Sequence, residues 1–473
     1  MKVLNPLRYL PRHALPFADA VSEGLPMGQL LRLSLFQVSV GMATVLLLGT
    51  LNRVMIVELS VPASMVAAMI ALPVLVAPFR ALLGHRSDTH RSAIGWKRIP
   101  YLWFGSLWQM GGLAVMPFAL LVLSGQQSVG PAWAGEVLAG LAFLMTGLGL
   151  HMTQTAGLAL ATDRADAATR PRVVALLYVM FLLGMGISAL VIGWLLTDFT
   201  PLTLIRVVQG AAVTGIVLNL VALWRQEKVR PMTRAERAAP RPRFRDAWAD
   251  LVAGGQAGRL LAVVFIGTMG FTMQDVLLEP YGGEILGLPV AATTVLTALW
   301  AAGALAGFLI AGHRLAHGSD AHRLAAMGLL AGIAAFSAVI FAAPMGSYLA
   351  FYAGATLIGF GAGLFAVSTL TAAMTLPAKG AAGHGLALGA WGAAQATAAG
   401  LSIALGGGLR DGINTIATSG AWGTALDTPA TGYAFVYHIE IGLLFVTLAA
   451  LGRLARHTPS RQPSRMGLAE FPT

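Results

Sequence analysis

Two pairs of ionisable residues sit inside otherwise apolar stretches. Arg53 and Glu58 flank Val54-Met55-Ile56-Val57, and Asp275 and Glu279 flank Val276-Leu277-Leu278. Charges in hydrocarbon are costly and mark proton relays, ion sites or pairs. Asp275 and Glu279 are four residues apart and share one helix face, so they repel each other unless a cation such as Arg53 lies close. Two chemistries fit this spacing: a proton-coupled gate, or a static bridge that closes a helix bundle. His151 and His438 also lie in or beside apolar runs. Each supplies a neutral imidazole that is either a hydrogen-bonded core group or a metal ligand. For His151, the neighbours Thr153, Gln154 and Thr155 offer polar partners. There is no cysteine, which excludes disulfides, thiolate metal sites and Cys nucleophiles. No Ser/His/Asp cluster or paired-carboxylate site is legible. The run Gly406-Gly407-Gly408 follows an apolar span rather than a strand, so it cannot cradle phosphate. An enzyme is not expected.

The elements that must position these residues are membrane helices. The chain has 473 residues, 56% hydrophobic and 11% charged, with mean hydropathy +0.73, whereas soluble domains carry about 25% charge. Crossing the hydrocarbon takes about 20 apolar residues. Such runs recur at 35–57, 64–83, 101–123, 137–159, 173–196 and 202–224, and again at 260–278, 291–310, 324–341, 349–372, 386–405 and 435–451. The expected fold is an all-α membrane protein of about twelve transmembrane helices. It divides into a six-helix bundle at 1–224, a basic linker at 225–259 and a second six-helix bundle with a tail at 260–473. Of the 31 Lys and Arg, all but Arg53, Arg206 and Arg410 fall on one side of this arrangement. The positive-inside rule then places both termini in the cytoplasm. Dispersal of the basic residues among these loops also accounts for the pI near 10.5 without nucleic acid. Residues 1–26 lack the apolar core of a removable signal peptide. Pro73 and Pro78 interrupt the second span as candidate hinges, while Gln37, Gln109, Gln209, Asn219 and Gln395 are candidate helix glue. The linker reads as a solvated segment on anionic lipid.

The loops after the second and eighth spans repeat. Gly84-His85-Arg86-Ser87-Asp88-Thr89-His90-Arg91 matches Gly312-His313-Arg314 followed, four residues later, by Ser319-Asp320-Ala321-His322-Arg323. The halves are therefore parallel repeats, as in major facilitator transporters. The first copy continues through Gly95, Lys97 and Arg98, and resembles the superfamily's loop in which an Asp pairs with cations and helix ends between bundles. The candidate latch comprises Gly84, Asp88, Arg91, Gly95, Lys97 and Arg98, with Asp320 and Arg323 in the second copy.

Longer motifs resemble a narrower family. Leu51-Asn52-Arg53-Val54-Met55-Ile56-Val57-Glu58-Leu59, Gly95-Trp96-Lys97-Arg98-Ile99-Pro100-Tyr101, His151-Met152-Thr153-Gln154-Thr155-Ala156-Gly157 and Gln274-Asp275-Val276-Leu277-Leu278-Glu279-Pro280-Tyr281-Gly282-Gly283 are similar to those of the PucC/LhaA family. The resemblance implies a multi-pass protein of the bacterial inner or intracytoplasmic photosynthetic membrane. It further implies a role in assembling light-harvesting complexes, with bacteriochlorophyll as a transient cofactor. Expected partners are the bilayer, core or peripheral antenna polypeptides, and bacteriochlorophyll biosynthesis enzymes. Under that implication His151, Gln154 and His438 become candidate pigment-binding residues, because a bacteriochlorophyll magnesium takes an axial imidazole. His151 has Gly147, and His438 has Ala434, one turn earlier to admit a flat macrocycle. The competing reading is a proton-coupled transporter of a small lipophilic solute.

Overall fold

The computed structural model describes residues 20, 22, 25–51, 54, 55, 59, 61, 63–125, 130, 131, 133–167, 169–196, 200–227, 229, 231–233, 241–253, 255–288, 290–376, 383–419, 423 and 426–455. Among them there is no strand. The first half contains α1 (Met27–Val45), α2 (Ala63–Val76), α3 (Arg80–Asp88), α4 (Ile99–Leu123), α5 (Ala134–Arg164), α6 (Arg170–Leu195) and α7 (Pro201–Leu223). A short helix α8 (Phe244–Val252) leads to the second half: α9 (Gln256–Thr272), α10 (Leu278–Glu284), α11 (Val290–Ala316), α12 (Ala321–Ala342), α13 (Tyr348–Met374), α14 (His384–Thr418) and α15 (Ala430–Ala455). Helix starts follow local chemistry. Pro100, Pro171 and Pro201 occupy first-turn positions where no N–H is needed, and Thr200, Asp320 and Ser347 accept a first-turn N–H.

Among the described residues, eleven helical segments are long and apolar enough to cross a membrane. A twelfth long helix, α14, has 35 residues rich in Gly and Ala and packs into the same bundle. At 1.5 Å per residue it rises about 52 Å, more than the hydrocarbon requires. Several helices also extend well past the apolar runs: α5 reaches Arg164 and α14 reaches Thr418.

Each half has its own apolar core, and a third core is shared between them. Leu46, Leu113, Phe143 and Val208 centre the first, while Phe271, Phe336, Phe351 and Tyr437 centre the second. The shared core joins Phe36, Leu158 and Val174 to Phe308, Leu370 and Trp391. Across the halves, α14 packs on α2, α3 and α5, and α6 packs on α11 and α13. The halves thus close on each other at the end that carries Asp88.

Helix α8 corrects the reading of the linker as a wholly solvated segment. Its Ala247 and Leu251 are buried among Ala81 of the first half and Ala257, Leu386 and Ala390 of the second. The opposite face leaves Arg245 and Asp250 exposed. His85 fixes the approach: its Nε2–H donates to the carbonyl of Pro242 at 3.2 Å, and its ring meets Phe244 edge-on.

Candidate functional site

At the closed end, Asp88 meets the first turn of α14. Its carboxylate accepts the backbone N–H of Gly385 at 2.9 Å and of Leu386 at 2.8 Å, where free N–H groups and the helix dipole favour an anion. Arg98 approaches from the other side. It donates through Nη2 to Asp88 at 2.5 Å, through Nη1 to Ser87 at 2.5 Å and through Nε to Asp163 at 2.9 Å. Burial works against the Arg98 charge, but Asp163 and Asp88 outweigh it and hold the guanidinium above its usual range. Glycine makes the crossing close: a Cβ on Gly84 would stand 1.9 Å from the Gly385 carbonyl oxygen. Gly95 turns the chain at φ +83, and the N–H groups of Lys97, Arg98 and Ile99 then reach the Glu227 carboxylate at 3.1–3.2 Å. Lys97 contributes its backbone while its side chain is exposed, and Arg91 is half-buried in the same loop.

The second copy of the motif departs from the expectation. Asp320 accepts the N–H of Arg323 at 2.8 Å and caps its own helix, α12. Neither Asp320 nor Arg323 therefore joins the latch. The four inserted residues Leu315-Ala316-His317-Gly318 carry Asp320 away from the end of α11. Gly312 does keep its part of the repeat, since a Cβ there would stand 2.5 Å from Ala175 Cβ on α6.

Beneath the latch lies Arg80, 2% exposed. Its Nε donates to Thr155 at 3.0 Å in the first half, and its Nη1 to the carbonyl of Gly392 at 3.3 Å in the second. Trp391 is buried next to Gly392 and donates to Thr369 at 3.4 Å. One turn from Thr155 is His151, also buried. Its Nε2–H donates to the Pro73 carbonyl at 3.0 Å, close to where α2 gives way to the tight turn Ala77–Phe79. The niche beside Gly147 holds the Pro73 ring, 2.5 Å from where a Cβ would be. His151 thus serves the helix break and offers no open face in this conformation; Gln154 is half-buried nearby. Gln109 donates to Ser39 and Gln209 to the Ala114 carbonyl, the gluing role expected of such amides.

Asp275 and Glu279 do not share a continuous helix. Asp275 lies in the turn Met273–Val276, and Glu279 begins α10. The two acids still line one cavity of about 230 Å³, with Gln274, Leu278, Leu296 and Trp300. Arg53 and Glu58 lie outside the described residues. On the same half, Arg410 bridges Glu284 and Asp411 and lies 4.5 Å over the Tyr433 ring.

His438 is exposed on α15. Its Nδ1–H donates to the Ala434 carbonyl at 2.7 Å, so the neutral ring keeps its lone pair on Nε2. Phe435, Gly442, Phe445 and Ala449 are exposed at helical spacing around it. Farther along, a groove of about 270 Å³ is lined by Arg259, Ala262, Ala449 and Ala450.

Sequence reasoning missed Arg80, Glu227, Gly392 and Glu440. Arg80 has a signal, an arginine directly after Pro78-Phe79, which reads equally as one more basic residue of the following loop. Glu440 has one too, as a carboxyl in the middle of an apolar run.

Comparison with known proteins places these features in context. A family model described as PUCC protein matches residues 50–458. A Rhodobacter capsulatus relative, "Uncharacterized protein in puhA-bchM intergenic region", is 65% identical over 97% of both chains. Protein PucC of Rhodovulum sulfidophilum is 55% identical over 84% of this chain and 88% of its own. Among solved structures, a bacterial homologue of the iron transporter ferroportin in an outward-facing state with soaked iron aligns with TM-score 0.69 at 13% identity, covering 91% of this chain and 100% of that one. The major facilitator proton:xylose symporter XylE aligns with TM-score 0.62 at 13% identity, covering 90% and 95%. These structures share the fold.

Proposed function

Because the chain belongs to the PucC family, we propose that it is a non-enzymatic assembly factor for bacterial light-harvesting complexes. In this reading it holds bacteriochlorophyll, single-span antenna helices or both at its lipid-facing surface, in the bacterial inner membrane. Biosynthesis enzymes that release the pigment are its natural suppliers.

The observation that carries the reading is His438. A metal-binding histidine typically donates its second ring N–H to a carbonyl, which fixes the tautomer and aims the other nitrogen outward. His438 has this arrangement already, on a face where Ala434 and Gly442 leave room for a flat ring. Bacteriochlorophyll, when bound, brings a magnesium ion that accepts one such nitrogen. His151 supports the reading less, since it is buried and the Pro73 ring fills the niche beside Gly147. The groove toward Arg259 continues the same face and suits an apolar chain.

The test is the absorption spectrum and extracted pigment of the protein purified in mild detergent from a phototrophic host. Stoichiometric bacteriochlorophyll that disappears in His438→Ala and persists in His151→Ala is the expected result. Pigment-free protein that retains antenna polypeptides would narrow the role to holding helices. Native protein that carries neither pigment nor antenna polypeptides would overturn the reading in favour of solute transport.

A further inference from the structure

The second half contains an acid pair that a lipid-facing pigment role does not use. α9 stops at Thr272, the chain makes the tight turn Met273–Val276, and α10 begins at Leu278 with Pro280 in its first turn. Such a break frees backbone N–H groups in the membrane interior, and each needs an acceptor. Glu440 on α15 is fully buried and supplies one: its carboxylate accepts the N–H of Gln274 at 2.8 Å. Its Oε2 is buried and has no hydrogen-bond partner among the described residues, and the same holds for the Tyr437 hydroxyl one turn away.

Asp275 interacts electrostatically with this carboxylate, accepts from the side-chain amide of Gln274 and, unlike Glu440, is exposed at the surface of the protein. It opens on the cavity of about 230 Å³, where the Trp300 indole N–H is also buried without a partner among the described residues. Among the described residues, several groups surround the pair. Tyr437 comes from α15 and Glu279 from α10, and Tyr281 and Tyr433 lie beyond Tyr437. Arg410 of α14, which reaches Tyr433, is committed to Glu284, Asp411 and Tyr433. No Lys, Arg or His pairs with Asp275 or Glu440 among the described residues.

Two carboxylates side by side in a medium of low dielectric repel strongly and lose their hydration. One positive charge between them removes both penalties. Broken membrane helices are where transporters build such sites, because unwound backbone and side chains converge there. We propose that Asp275 and Glu440 form a site for one compact positive charge, a proton or a monovalent metal ion, at the break between α9 and α10. No set of three His, Cys, Asp or Glu converges among the described residues, which disfavours a transition metal. The site also touches α14. A Cβ on Gly406 of α14 would stand 2.7 Å from the Met273 carbonyl, so the helix that carries the Asp88 latch near one end rests on this turn farther along.

The full-length protein in detergent provides the test, without pigment and so independently of the assembly reading. Melting is followed by tryptophan fluorescence from pH 5.5 to 8.5, in sodium chloride and in N-methylglucamine chloride at equal ionic strength. A bound sodium ion predicts a Tm higher by about 3 °C or more in sodium, the size that roughly 1 kcal/mol produces in a chain of a few hundred residues. A bound proton predicts a similar rise on acidification, with no difference between the salts. In either case Asp275→Asn and Glu440→Gln, which keep the size and hydrogen-bond acceptors, flatten the response, while Glu284→Gln leaves it intact. A native protein that responds to neither variable, or variants that respond as the native protein does, overturns the proposal.

Discussion

The Arg80 guanidinium lies in the space that Gly392 leaves by having no side chain: a Cβ there would stand 2.4 Å from Cζ. This contact joins the halves in the membrane interior through a cation. Gly392→Ala is expected to lower stability by about 1–3 kcal/mol, the usual cost of overpacking. Arg80→Met combined with Gly392→Ala is expected to recover part of the loss, because the flexible thioether can yield where the planar group cannot. Thermal melts of the single and double variants check this; additive losses would refute the contact.

Asp88 is expected to hold the closed end shut. Asp88→Ala leaves Arg98 buried with only Asp163 as its carboxylate, and the loss of one partner of a buried pair costs about 3–5 kcal/mol. The chain has no cysteine, so spin labels can be placed without background at Ile94→Cys and Thr375→Cys. The distance between them should lengthen in Asp88→Ala. It should stay unchanged in Asp320→Ala, which loses only a helix cap.

Helix α8 should resist protease while it is docked. Leu251→Asp puts a charge into the apolar junction under α8 and is expected to release it. Trypsin cleavage after Arg245, followed by mass spectrometry, should then accelerate several-fold. Equal rates in both proteins would mean that α8 is not held by this contact.

Gly442 has nothing within 4 Å of its absent side chain. Gly442→Leu is therefore expected to leave the melting curve unchanged while cutting copurified bacteriochlorophyll as strongly as His438→Ala does. Undiminished pigment in Gly442→Leu would move the pigment site off this face of α15.

The helices and the repeat were legible because apolar runs and the Gly-His-Arg motif are local signals. Asp88 and Arg98 were legible for the same reason, since ten residues and one turn separate them. Their partner in the second half, the N-terminus of α14 at Gly385, was not, because backbone N–H groups carry no side-chain signature. The fate of Asp320 depended on four inserted residues whose effect is geometric. The spacing around His151 left a hydrogen-bonded core group and a ligand equally open, because its partner, the carbonyl at the α2 break, lies 78 positions away. Glu440 and Gln274 are 166 positions apart and show no spacing that a sequence could reveal.

The seclusion of the latch shields it from the surrounding solution. Arg98 and Asp88 are 4% and 9% exposed, and dissolved ions screen charges in water far better than charges enclosed by protein. Changes in the ionic strength around the membrane should therefore leave the strength of this pairing nearly constant, whereas an ion pair on the surface would loosen with added salt. The hold between the halves is set by the protein's interior, much as a clasp inside a case keeps its grip whatever the weather outside.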